Sequence, residues 1–165
     1  GGLSAQQGGV FLGEDARSVW HVFEKETKLG SGAFGTVFKA RERGTDKVVA
    51  VKQMQTAGGE DAKEGALSEF MSCAQVAHPH IMRVFGLFND ADAVFIASEL
   101  AARGELADFL AKTNALGDEA LIAEVSAQVI AALAFLHSEG MIHHDVKPPN
   151  ILVTDQQSES AVPTV

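Results

Sequence analysis

Three closely spaced glycines form the part of the sequence whose spacing most directly suggests chemistry. They are Gly30, Gly32 and Gly35, in the pattern Gly-x-Gly-x-x-Gly. Backbone without side chains can approach phosphate oxygens closely, so this segment could cover a triphosphate. A hairpin turn with glycines at positive φ accounts for the same spacing, and both interpretations stay open on the glycines alone.

The residues after the glycines separate the alternatives among nucleotide-binding loops. A dinucleotide-binding loop requires a helix directly after its glycines, so that a pyrophosphate lies at the helix N-terminus. Here 36–40 alternates as a strand does, and the Lys followed by Ser or Thr that a Walker loop requires is absent after Gly35. The order of strand, glycines and strand therefore favours a flap over a triphosphate.

The elements that would position this flap make up a strand-rich first half. Two short strands are predicted between Phe23 and Ala40, and a β-branched run predicts a third over Val48–Val51. A helix follows, and its apolar positions are Leu67, Phe70, Met71 and Ala74. The apolar runs Ile81–Phe88 and Ala93–Leu100 predict a hairpin.

The second half is predicted to be helical. Leu106–Leu110 forms a short helix, and a long one lies between Asp118 as N-cap and Gly140 as C-cap. One face of this long helix carries an apolar stripe of Leu121, Ile122, Val125, Val129, Leu133 and Leu136, and several of these side chains are expected to be only half-covered. The polar stretch 154–165 predicts a frayed end.

Composition and charge exclude several function classes. The 165 residues are 46% hydrophobic and 21% charged, and the formal net charge is −9, which disfavours nonspecific binding to nucleic acid or to anionic membranes. The single cysteine, Cys73, excludes an internal disulfide framework and fits a reducing compartment, so a cytoplasmic location is expected. No run approaches about 18 consecutive apolar residues, so no transmembrane helix is expected.

Three motifs in fixed order give the sequence a specific resemblance. They are Gly30-x-Gly32-x-x-Gly35-x-Val37, then Val49-Ala50-Val51-Lys52, then Ile142-His143-His144-Asp145-Val146-Lys147-Pro148-Pro149-Asn150. From about Phe23 to Val153 the chain resembles a eukaryotic protein kinase domain. Lys147 resembles the serine/threonine-specific form of the catalytic loop, and the stretch 103–106 looks most like the calcium/calmodulin-dependent group.

The resemblance implies an α+β, protein-kinase-like fold. This fold has a small antiparallel β-sheet N-lobe with one helix, followed here by the beginning of a helical C-lobe. The expected divisions are a flexible leader over 1–18, the N-lobe and hinge over 19–100, a partial C-lobe over 101–153, and a frayed or aberrant tail over 154–165.

The resemblance also implies ATP and Mg²⁺ as cofactors. Lys52 would reach the α- and β-phosphates, and the small Ala50 would leave room for the purine. Glu69 would form an ion pair with Lys52, with Glu64 as its rival. The apolar surfaces around adenine would come from Leu29, Val37 and Leu152.

The segment that resembles the linker between kinase lobes would hold the rest of the nucleotide. Ser98 would be a small gatekeeper, Glu99 would offer its backbone carbonyl to adenine, and Ala101 would offer its backbone N–H. Glu105 falls where the family often places a carboxylate for the ribose or for a basic substrate side chain.

The catalytic roles are assigned by the same resemblance. Asp145 would accept or orient the proton of the attacking hydroxyl, Lys147 would stabilise the γ-phosphoryl group, and Asn150 would hold a Mg²⁺ ion. A metal cluster of His143, His144 and Asp145 is disfavoured because adjacent side chains diverge. His143 is interpreted as a packed residue that orients the loop.

Three departures from the family pattern qualify these expectations. His144 replaces the arginine that usually precedes the catalytic aspartate, so activation by phosphorylation of the usual kind is not expected. Pro149 cannot supply the carboxylate with which many members read basic substrates. No Asp-Phe-Gly follows Asn150, and Asp155 lies too close to that asparagine to replace it.

The sequence thus predicts a serine/threonine protein kinase that acts on protein hydroxyls, present as a partial domain cut short after the catalytic loop. The alternative is a catalytically dead, truncated or pseudokinase-like module that binds ATP or a partner. Self-association through exposed helical-lobe surface is expected in either case.

Overall fold

The computed structural model describes residues 9–10, 18–32, 35–55, 64–65, 68, 76–90 and 93–154. They fall into two compact units. The sheet unit lies within Gly1–Gln75 and Arg83–Leu100, and the helical unit lies within Val76–Met82 and Ala101–Val165. The apolar positions of the helix predicted over 67–74 lie outside the described residues, and so does Glu69.

The sheet unit is built on six strands in the order β1-β5-β6-β4-β3-β2. They are β1 (Gly9–Val10), β2 (Phe23–Gly32), β3 (Gly35–Glu42), β4 (Val48–Gln55), β5 (Val84–Asn89) and β6 (Ala93–Glu99). Neighbours from β5 to β2 run antiparallel, whereas β1 runs parallel to β5. Helix α1 (Val19–Val22) directly precedes β2. Strand β1 lies in the leader, where the sequence predicted no element.

The side chains of β4 alternate between a buried face of the sheet and the face that carries the predicted nucleotide contacts. Val49 and Val51 are fully buried, and because successive side chains point to opposite faces, Ala50 and Lys52 point the other way. The main core contains Val19, Phe23, Ala40, Val49, Val51, Phe88, Ala93, Phe95 and Ala97. A smaller cluster contains Leu87, Val94 and Ile96.

The helical unit combines helices α2 (Leu106–Thr113) and α3 (Glu119–Ser138) with a two-stranded sheet of β7 (Gly104–Glu105) and β8 (Leu152–Val153). The predicted N-cap of α3 is confirmed, because Asp118 Oδ1 accepts a hydrogen bond from the Leu121 N–H at 3.0 Å. Gly140 has a φ of +74° and follows the C-cap residue, where glycine commonly ends a helix. The predicted α+β class is confirmed.

The apolar stripe of α3 is only partly covered, as expected: Ile122 is 43% exposed, and the half-buried residues of the stripe are Leu121, Val129, Leu133 and Leu136. The buried residues of this helix are Val125, Gln128 and Ala132, at spacings of three and four. Ile122 lies at one edge of that face, and Gln128, which the apolar pattern passed over, lies at the other. Val125 packs with Leu106, Ile151 and Val153.

By length and hydropathy α3 could cross a membrane, with a mean hydropathy of 1.7 in its most apolar stretch, and within the described ranges no other helix could. The sequence expectation considered uninterrupted apolar runs, and the charged residues of α3 interrupt this one. A core helix passes the same test, so the property is weak support for a span.

Candidate functional site

The three glycines lie where β2 ends and β3 begins, and they have different steric requirements. Gly35 has a φ of +115°, and a Cβ added there would collide with the backbone carbonyl of Gln53 on β4. Around Gly30 and Gly32, nothing lies within 4 Å of an added Cβ. Only Gly35 of the three is therefore required by the fold, and the absence of side chains at the other two leaves open space over the strand.

Lys52 lies in the middle of β4 with a strand on each side. It is directly opposite Val37 on β3 and Ile96 on β6. Ala50 is opposite Lys39 and Ser98. Directly opposed residues share a face, so the predicted nucleotide contacts Val37, Ala50, Lys52 and Ser98 all lie on one face of the sheet.

The end of β6 forms the segment predicted to contact adenine. Ser98 is 8% exposed, and its hydroxyl lies 3.4 Å from the Glu99 carbonyl oxygen, to which it donates. The Glu99 N–H donates to the Arg83 carbonyl at 2.8 Å, which ties this segment to the start of β5. These contacts, together with its pairing to Val49 of β4, fix the Glu99 backbone. Leu29, on the edge strand β2, is exposed.

Ala101, Glu105 and Leu152 belong to the helical unit. The Gly104 N–H donates to the Ala101 carbonyl at 3.1 Å. Glu105 pairs with Leu152 in the β7–β8 ladder and is the N-cap residue directly before α2. The carboxylate of Glu105 is carried by an exposed residue, and Leu152 is half-buried beside the buried Val153.

Asp145 is held by two side chains that follow it in the sequence, those of Lys147 and Asn150. Its Oδ2 lies 2.8 Å from Lys147 Nζ and accepts a hydrogen bond from Asn150 Nδ2 at 2.8 Å. Asn150 Nδ2 also donates to the Asp145 carbonyl at 2.8 Å. The hydrogen bonds from Lys147 and Asn150 lower the pKa of the Asp145 carboxyl, which therefore stays ionised at neutral pH.

The two histidines before Asp145 have distinct geometry. The Asp145 N–H donates to the His143 carbonyl at 2.9 Å and approaches His143 Nδ1 at 3.3 Å, so His143 contacts the loop backbone as predicted. His144 has a φ of +63°, in the left-handed region. The backbone turn from His143 to Asp145 directs the Asp145 side chain toward solvent, and 57% of that side chain is exposed.

The described residues supply only part of a magnesium site. Asn150 could offer its amide oxygen, but Asp145 Oδ2 is already engaged by an ammonium and an amide. Where the structure describes the chain, no group of three or more His, Cys, Asp or Glu could hold a metal ion. Mg²⁺ is usually held through carboxylates, so these residues do not fit a protein-held Mg²⁺ ion on their own.

The structure brings the predicted site residues together in two separate groups and does not describe all of them. Lys52 and its neighbours lie together in the sheet unit, and Asp145, Lys147 and Asn150 lie together in the helical unit. Glu64 is exposed, and Glu69 lies outside the described residues. Sequence reasoning did not find Gln53, whose carbonyl imposes the glycine at position 35, because a backbone contact leaves no mark on residue type.

Comparison with known proteins identifies the family. The family model described as "Protein kinase domain" matches residues 23–162, which leaves α1 outside the match. The chain is 34% identical over 134 residues to serine/threonine-protein kinase 1 of Arabidopsis thaliana, covering 81% of the chain and 16% of that protein. It is 37% identical over 125 residues to serine/threonine-protein kinase RAD53 of Saccharomyces cerevisiae, covering 76% and 15%.

A third relative is covered more fully. The chain is 38% identical over 138 residues to Aurora kinase B of Drosophila melanogaster, and the match covers 80% of the chain and 41% of that protein. The chain thus spans less than half of the length of each of these three relatives.

Proposed function

The chain belongs to the protein kinase domain family, and on that premise we propose that it is part of a serine/threonine protein kinase. The proposed activity is transfer of the γ-phosphoryl group of ATP to a Ser or Thr hydroxyl of a protein. The observation that carries the proposal is the position of Lys52, opposite Val37 on β3 and on the same face as Ala50, next to the strand that Gly35 begins. An ammonium held by a buried strand near bare backbone is suited to anionic phosphate oxygens.

Within the sheet unit, the proposed roles concern binding of ATP. The bare backbone at Gly30 and Gly32 covers the phosphates, and Lys52 neutralises the α- and β-phosphate oxygens. Val37 and Ala50 contact the purine, together with the exposed Leu29. Ser98 and Glu99 are the proposed adenine-side residues, and Glu69 is the proposed partner of Lys52.

Within the helical unit, the proposed roles concern the acceptor hydroxyl. The carboxylate of Asp145 accepts or orients the proton of the attacking hydroxyl, and its lowered pKa keeps it in the required ionised form. Lys147 neutralises charge on the transferred group, and Asn150 holds the loop and could ligate the metal ion. ATP supplies the phosphoryl group, and a divalent metal, as kinases generally use, offsets its charge.

The remaining contacts of this unit concern the rest of the nucleotide and the substrate. Ala101 offers its N–H to adenine and Leu152 contacts the ring, while Glu105 serves the ribose or a basic substrate side chain. Lys147 supports the serine/threonine type, and the stretch 103–106 supports membership of the calcium/calmodulin-dependent group. The acceptor is a protein, and the site of action is the cytoplasm.

A second candidate function is binding of ATP or a partner without phosphoryl transfer. It is favoured by the incomplete set of magnesium donors among the residues that the structure describes and by the lack of Asp-Phe-Gly in these 165 residues. We therefore expect little or no turnover by this chain alone, against about 1–100 s⁻¹ for kinases in general. Transfer of label from γ-³²P-ATP to a Ser/Thr peptide, abolished in Asp145→Asn, would contradict the second candidate.

Calorimetric titration with MgATP tests the proposal itself. Lys52→Met should weaken binding by about 10–100-fold, since charge-assisted hydrogen bonds contribute about 1.5–3 kcal/mol each. Lys28→Met is the matched control, because Lys28 is an exposed lysine of β2 in the same sheet. Equal losses in both variants, or none in Lys52→Met, would overturn the assignment of Lys52.

A further inference from the structure

Helix α1 packs a large aromatic ring against the sheet, although it lies outside the residues that the family model matches. Val19 is fully buried in the main core. The Trp20 ring meets Phe38 of β3 edge-on at 5.8 Å between centroids, and it meets Phe95 of β6 edge-on at 5.7 Å. Lys25 of β2 places its Nζ 5.0 Å from the centre of the Trp20 ring. One side chain thus contacts two strands that lie on opposite sides of β4.

The register relates these contacts to Lys52. The two residues directly opposite Lys52 are Val37 and Ile96. Phe38 directly follows Val37, and Phe95 directly precedes Ile96. Because successive side chains point to opposite faces, Trp20 contacts β3 and β6 on the reverse side of the sheet, one residue from the two positions that flank Lys52.

The position of Trp20 is fixed by its backbone as well as by its ring. The Arg43 N–H donates to the Val22 carbonyl at 2.9 Å, and Arg43 Nε donates to the Trp20 carbonyl at 3.3 Å. Helix α1 has only four residues, too few to be stable in isolation, so these contacts and the aromatic packing hold it in place. Arg43 follows β3, and the same strand therefore anchors both the ring and the backbone.

We propose that Trp20 is a positioning residue for Lys52, holding β3 and β6 at the spacing that directs the Lys52 ammonium toward the phosphates of a bound nucleotide. The inference rests on the proposed function, since it needs Lys52 to contact phosphate. It adds a determinant of nucleotide affinity outside the residues 23–162 that the kinase family model matches. Loss of the ring lets the two flanking strands shift and weakens the phosphate contact, while the adenosine contacts remain.

The test compares ATP with adenosine, which lacks phosphates. In Trp20→Ala the dissociation constant for MgATP should rise at least about fivefold, the lower end of typical couplings between sites, while that for adenosine stays within about twofold. Trp20→Phe should restore most of the ATP affinity. Phe23→Ala is the matched control, because Phe23 makes an edge-on pair with Phe88 of β5 at 5.9 Å in the same core, and neither β2 nor β5 borders β4. It should lower the unfolding temperature without changing the ratio of the two dissociation constants.

Fluorescence of the unsubstituted chain gives a readout that needs no stable Trp20 variant. Trp20 is the single tryptophan, so fluorescence emission excited at the long-wavelength edge of tryptophan absorption reports on this side chain alone. Coupling between two sites is reciprocal, so MgATP should shift the emission of Trp20, adenosine should not, and Lys52→Met should abolish the shift. An ATP-to-adenosine ratio unchanged by Trp20→Ala, or emission that does not respond to bound ATP, overturns the inference. Failure of the unsubstituted chain to bind ATP at all would overturn the proposed function instead.

Discussion

The sheet unit and the helical unit hold their chemical groups in opposite ways. In the sheet unit, Lys52 follows the fully buried Val51 on a central strand, and its position is set by packing on both sides. In the helical unit, Asp145 lies in an exposed turn, and its position is set by hydrogen bonds from Lys147 and Asn150. Packing resists displacement over a whole strand, whereas two polar contacts in solvent act on one side chain.

The two units also differ in how completely their large apolar side chains are buried. Exposed large hydrophobic residues among those described are mostly in the helical unit: Leu116, Ile122, Ile130, Ile142 and Val146 there, and Leu29 in the sheet unit. Among the described residues of its own unit, apolar partners contact only one side of α3. The core of the sheet unit is therefore more completely buried, whereas the described part of the helical unit leaves apolar side chains exposed.

The largest effect is expected from Gly35→Ala in the sheet unit. The backbone at position 35 has a φ of +115°, and the new methyl group would collide with the Gln53 carbonyl. The substitution should therefore cost about 3 kcal/mol or more of unfolding free energy. Gly30→Ala, where an added Cβ has open space, should change stability by less than about 0.5 kcal/mol. Urea denaturation measures both. A stable Gly35→Ala protein would mean that β3 and β4 do not approach as described.

A second pair of truncations compares the two cores. Val51→Ala should cost about 2 kcal/mol, because the residue is fully buried and the sheet cannot collapse around the lost methyl groups. Ile130→Ala removes more volume, but from a residue that is 65% exposed, so about 0.5 kcal/mol or less is expected. Thermal unfolding of the two variants checks the order. Equal destabilisation would show that Ile130 is covered and would remove the contrast between the units.

The uncovered side of α3 should promote self-association. Light scattering should detect oligomers at micromolar concentration, and Ile130→Glu should reduce both the oligomers and the binding of hydrophobic dyes. Ala127→Glu, also at an exposed position of α3, adds the same charge without removing a large apolar side chain. If both substitutions disperse the oligomers equally, net charge rather than the apolar surface controls association.

The smallest effect is expected at Asp145. Its pKa is lowered first by the hydrogen bond from Lys147 and then by the one from Asn150, so its carboxylate stays ionised as the pH falls into the ordinary aspartate range. Lys147→Gln should raise the pKa of Asp145 and move its titration to higher pH, with little change in overall stability because the residue is exposed. Carbon-13 NMR of the carboxyl group follows this titration. A titration that is not displaced would show that Lys147 does not hold Asp145.

The sequence was informative where residue type and period determine structure. The strands around the glycines, the hairpin of β5 and β6, and the Asp118 cap of α3 follow from local patterns. Periodicity placed Ile122 on the apolar stripe of α3, but periodicity does not show which elements cover the edges of that stripe. The same limit applies to Trp20, whose importance depends on the register of three strands distant in sequence. The grouping of Asp145, Lys147 and Asn150 was predicted, but their hydrogen bonds depend on the turn that the two prolines begin.

Hydrogen–deuterium exchange with and without MgATP tests most directly the claim that the sheet unit binds nucleotide through Lys52. MgATP should slow exchange in peptides covering β2, β3 and the Lys52 segment of β4, and Lys52→Met should abolish this protection. The exposed turn at 145–150 should show much less change. Protection that persists in Lys52→Met, or that appears only outside β2–β4, would contradict the account.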